Sequence, residues 1–255
     1  MSASTTATIV TAGPPARALH HAAQHRVRRR FTRALVVSGA WFWGLWAALD
    51  VGAPLAVDRW GGELDGLTYD AAGGPARWVG FTVGIIVTAV LLTVHVAAGG
   101  TRRAFLDGVV RAAAVGGAAY GVLAVLLALA EERLYGAIDR HWQGAAAPLD
   151  VDTPAGAVVT AVGEGLVVVT YVLVGVAVLA GYRRFGAWRG TLLILPLLVP
   201  CAIADLATHT GVLGLAVRGA YDDVAGGALL AVGGSLAAAV LATLVAHRLL
   251  RSVPL

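Results

Sequence analysis

The sequence predicts an all-α, polytopic membrane protein with six transmembrane helices, and three observations lead there. Charged residues make up 13% of the 255 and hydrophobic residues 58%, roughly half the charge of an ordinary soluble domain. The apolar residues fall into six runs, each long enough to cross about 30 Å of bilayer hydrocarbon as a helix. None of these runs alternates with period two in ten-residue units, as a membrane β-barrel does. A helix, by contrast, satisfies its backbone N–H and C=O groups within one segment, as lipid demands.

Residues 1–15, MSASTTATIVTAGPP, lack a basic stretch followed by a long apolar core. They read as a disordered tail, not as a signal peptide. In residues 16–33, Leu19, Ala22, Ala23, Val27 and Phe31 recur at roughly helical spacing among arginines, which predicts an amphipathic helix lying on the membrane surface. Residues 34–250 hold the transmembrane domain, with spans at Ala34–Val57, Trp78–Ala98, Ala104–Ala130, Ala157–Ala180, Gly190–Ala207 and Val224–Ala246. A long loop from Asp58 to Arg77 joins the first two spans, and residues 251–255 form a short tail. Gly117 and Gly121 make a GxxxG pair suited to close helix contact. Pro196 and Pro200 predict kinks in the fifth span.

Arginine sets the orientation. All 19 basic residues are arginine. The N-terminal segment, the turns at 99–103 and 182–189, Arg111 and the C-terminal end hold 14 of them with a single acid, Asp107. Positive charge stays cytoplasmic, so both termini are expected inside. An Ala-, Gly- and Val-rich chain without lysine points to a GC-rich bacterium, hence to a bacterial plasma membrane.

Several functions are excluded. A P-loop requires a lysine, so this chain is no ATPase of that kind. It contains neither HExxH for a zinc protease nor GxSxG for a serine hydrolase. The lone Cys201 excludes an internal disulfide framework. No enzymatic activity, bound cofactor, metal or nucleic-acid partner is expected.

Ionisable residues inside spans are costly and are functional candidates. Glu164 lies seven residues into the fourth span. Asp205 and His209, four apart, are expected on one helical face. Glu131 and Glu132 close the third span, and Asp50 the first. Together these groups predict an acidic outer vestibule along a substrate path. His95 reads as a packing histidine.

Two cytoplasmic turns share a pattern. GGTRRAFLDG carries Thr101, Arg102, Arg103 and Phe105, and GYRRFGAWRG carries Arg183, Arg184 and Phe185. Thr101 is placed to cap a helix starting at the membrane face. Phe105 reads as an exposed knob for a partner's pocket, with the arginines at its rim. This layout resembles the six-helix permease subunits of exporter-type ABC transporters, which share the basic N-terminal helix and the short "G-x-[ST]-R-[RK]-x-[FY]" coupling segment, here Gly99 to Phe105. The resemblance implies two copies of a separate ATPase that bind ATP and magnesium, a second permease subunit, identical or related, and export of a hydrophobic or amphiphilic substrate through lipid. It also implies that residues 211–223 dip back into the outer leaflet. Two other readings compete: a non-catalytic membrane assembly or sensor protein, and a stand-alone proton-coupled transporter using Glu164, Asp205 and His209.

Overall fold

A computed structural model describes residues 16–60, 68–139, 151, 153–211, 213 and 224–253. The proposed N-terminal tail, most of the 211–223 loop and the side chain of Asp50 lie outside the described residues. Among the described residues every regular element is helical. The helices are α1 (Ala16–Trp60), α2 (Thr68–Ala97), α3 (Arg102–Ala137), α4 (Pro154–Leu192), α5 (Ile194–Leu197), α6 (Val199–Thr208) and α7 (Val224–Arg251).

Four of these, α2, α3, α4 and α7, are long and apolar enough to cross a membrane. The predicted surface helix and first span form one element, because no Gly or Pro lies between Ala16 and Ser38 to break α1. The predicted fifth span is broken into α5 and α6, with turns at Leu193 and Leu198. Each turn lies close before a proline, whose ring clashes with the carbonyl four residues back, so the prolines interrupt the helix while Leu193 and Leu198 themselves keep right-handed helical dihedrals. The predicted loop from Asp58 to Arg77 needs correction. α1 continues to Trp60 and α2 begins at Thr68, so Arg77 belongs to a helix.

The bundle is organised around α4. The apolar window of α4 is 78% buried, against 28% for α2 and α7. Its valines, from Val167 to Val178, face neighbours all round, as a helix apolar on every side must. Small residues bring the helices close. A Cβ on Gly117 or Gly121 would collide with the carbonyl oxygen of Gly165 or Ala161, and one on Gly84 with that of Val172. The predicted GxxxG pair is therefore the seat of the α3–α4 crossing. The outer faces carry exposed apolar side chains, among them Trp41, Leu195 and Leu229.

At Gly186 (φ 76°, ψ 179°) α4 breaks in a conformation that L-residues avoid. The chain then doubles back, with Gly190 against Tyr182 and Tyr182 Oη 3.0 Å from Thr191 Oγ1.

Candidate functional site

Two side-chain assemblies stand out, one at each end of the bundle. The first is centred on Arg77, which sits on α2 and is 1% exposed. Its Nη1 donates to Asp205 Oδ1 at 2.8 Å. Its Nη2 donates to both carboxylate oxygens of Glu164, at 3.2 and 3.1 Å, and to Thr210 Oγ1 at 2.8 Å. Tyr171 Oη donates to the other oxygen of Asp205 at 3.0 Å. One guanidinium thus ties together α2, α4 and the end of α6.

Local structure explains the convergence. α6 ends at Thr208, and His209 adopts the left-handed conformation (φ 53°) as its C-cap. The next amide, Thr210 N, returns to Asp205 O at 3.1 Å, which presents the Thr210 hydroxyl to Arg77. Gly211, also at positive φ, lets the backbone pass the ion pair, where a Cβ would strike the Asp205 carboxylate. The expectation that Asp205 and His209 share a helical face is corrected, since the helix has already ended at His209. That residue is buried and shapes the turn.

Of the predicted path residues, Glu164 and Asp205 are brought together. Glu131 is buried and Glu132 half-buried near the end of α3. Sequence reasoning missed Arg77, which looked like the end of a loop. The available signal was an arginine directly before an apolar run, on the side where acids dominate. Two carboxylates face one buried guanidinium, so the assembly clamps three helices together through ion pairs. Among the described residues no group of three His, Cys, Asp or Glu is arranged to hold a metal.

The second assembly is at the arginine-rich end. Thr101 Oγ1 accepts from Ala104 N at 3.1 Å, so Thr101 caps α3 as predicted. Phe105, expected as an exposed knob, is fully buried, with its ring edge-on to His95 at 5.6 Å. The reason is periodic: Phe105, Val109 and Ala112 share the helix face turned to the core. His95 Nε2 lies 3.1 Å from Thr101 O and pins the turn.

The arginines are divided between internal contacts and solvent. Arg183 donates to Thr93 Oγ1 at 2.6 Å and Ala89 O at 2.7 Å, which ties the α4 turn to α2. Arg102 donates to Arg251 O at 3.0 Å. Arg184 donates to Ser252 Oγ and lies 4.7 Å above the Phe185 ring. Arg103 is exposed. The N-terminal half of α1 closes this end, since Gln24 and Val27 lie against Gly108 and His20 lies 3.5 Å from Asp107. Val253, in the predicted tail, is buried.

No family model, curated protein or solved structure matches this chain.

Proposed function

We propose that this chain is the membrane subunit of an ABC-type exporter, a six-span permease in a bacterial plasma membrane with both termini cytoplasmic. It pairs with a second permease, identical or related, and is driven by two copies of a separate ATPase that bind ATP and magnesium. The cargo is hydrophobic or amphiphilic. The observation that carries this reading is the knitted basic end. There the first half of α1, the start of α3, the Gly186 turn and the end of α7 are linked in a chain by side-chain contacts, so a push from a soluble partner on one is passed to the others. In the six-span count, the two further crossings are the second half of α1 and residues 190–207, which cover roughly 27 Å at helical rise.

The docking face in this reading is built from exposed arginines, Arg28, Arg29 and Arg103, with Phe105 supporting it from beneath. Co-expression with the ATPase of its own operon tests it. The ATPase is expected to co-purify with the chain and to be lost from Arg29→Glu/Arg103→Glu at unchanged membrane level. A wild-type chain that retains no ATPase overturns the reading.

The Arg77 assembly favours a second reading, a proton-coupled carrier acting alone. In that case purified protein in liposomes moves substrate under a pH gradient without ATP, and Glu164→Gln abolishes the movement. Absence of any gradient-driven flux removes it.

A further inference from the structure

Helices α3 and α7 both pack along α4 but scarcely on each other, which leaves a groove with α4 as its floor. Its upper part has a volume of about 450 Å³. Its walls are Ala114, Ala118 and Val122 on α3 and Leu236, Ala239 and Val240 on α7. Its lower part, about 790 Å³, opens at the basic end beside Arg102, Arg103, Arg111, Arg251 and His247, with Asp107 as the acid among its lining residues. The two parts share Val110 and Thr243 in their linings, so they adjoin along α3 and α7, cationic at the lower end and apolar above. From Val110 to Val122 the apolar part runs about 18 Å at helical rise, comparable to the roughly 15 Å depth of one leaflet's hydrocarbon.

We propose that this groove is a binding site for an anionic phospholipid of the inner leaflet. The phosphate sits among Arg103, Arg111 and His247, and one acyl chain lies between α3 and α7. Charge complementarity selects the headgroup, because guanidinium groups donate paired hydrogen bonds to phosphate oxygens. The apolar part accepts a chain that water would otherwise have to solvate. This inference rests on the membrane placement proposed above and not on the ATPase partner.

The test is native mass spectrometry of the full chain. The chain is extracted from membranes, delipidated, and offered phosphatidylglycerol or phosphatidylcholine in mixed micelles. Phosphatidylglycerol is expected to be retained preferentially, by at least tenfold. Arg103→Gln and Arg111→Gln are each expected to lower its retention about fivefold, the equivalent of about 1 kcal/mol per cation. Both side chains are exposed, so folding is not at issue. Ala118→Trp, which fills the apolar part, is expected to abolish retention in a protein that keeps its elution volume and helical circular dichroism. Equal retention of the two lipids, or retention unchanged in these variants, overturns the proposal. So does an Ala118→Cys chain that forms disulfide-linked dimers in the membrane, because a second copy then fills the groove. A chain that stays in the soluble fraction after lysis fails the membrane placement itself, before any lipid is offered.

Discussion

At the scale of single residues, the largest electrostatic commitment is Arg77. Its guanidinium faces Glu164 at 3.1 Å and Asp205 at 2.8 Å in a buried setting. Removing one member of such a pair strands the other charge, which costs about 3–5 kcal/mol. Arg77→Ala is therefore expected to lower the thermal unfolding temperature in detergent sharply. Arg77→Ala combined with Glu164→Gln and Asp205→Asn should recover part of the loss, and no recovery would mean that the ion pairs do not hold the three helices together. Phe105 gives a second prediction. Because it is fully buried, Phe105→Ala leaves a cavity costing about 3–5 kcal/mol, a loss measurable in the isolated chain with no partner present. Had Phe105 been an exposed docking knob, the isolated chain would keep its stability. The acids Glu164 and Asp205 were legible in the sequence because a carboxylate stands out in an apolar run. Arg77 was not, because its partners lie 87 and 128 positions away and nothing local announces them.

At the scale of elements, the crossings depend on glycine. The α3–α4 contact brings Gly117 and Gly121 of one helix onto the backbone of the other at Gly165 and Ala161. Gly121→Val forces the helices apart, and overpacking of this kind costs about 1–3 kcal/mol or more. The expected outcome is a lower yield of monodisperse protein and a lower melting temperature than Gly136→Val gives, since a Cβ on Gly136 meets nothing within 4 Å. Equal behaviour of the two variants would show that the crossing is not tight. The GxxxG spacing was readable in advance, but its partner helix was not, because the motif gives the face of one helix only. The Pro-induced breaks in the fifth apolar run were readable for a local reason, as a proline acts on its own turn. That the surface helix and the first apolar run are one element is less legible, because a change from polar to apolar composition does not say whether the helix continues through it.

At the scale of the whole molecule, the two ends differ in chemistry. The arginine-rich end joins α1, α3, the Gly186 turn and α7, and the opposite end holds the Arg77 clamp. If positive charge sets topology, a cysteine introduced at the exposed Arg103 reacts with an impermeant maleimide only after cell lysis, whereas one at the exposed Arg133 reacts in intact cells once the outer envelope is permeable. The native thiol does not interfere, because Cys201 is buried. Labelling of position 103 in intact cells would invert the orientation, and with it the placement of the basic groove on the inner leaflet.

The sequence by itself determined the helical class, the apolar runs and the segregation of arginine to one end. These are properties of composition and short-range periodicity, and each apolar stretch carries them independently of the others. Only the tertiary structure decided which helix lies at the centre, that Arg77 closes on Glu164 and Asp205, that Phe105 faces inward, and that α3 and α7 leave a groove between them. Those outcomes depend on which faces meet across long sequence separations. A face acquires its partner through packing against other helices, which no single stretch of the chain encodes.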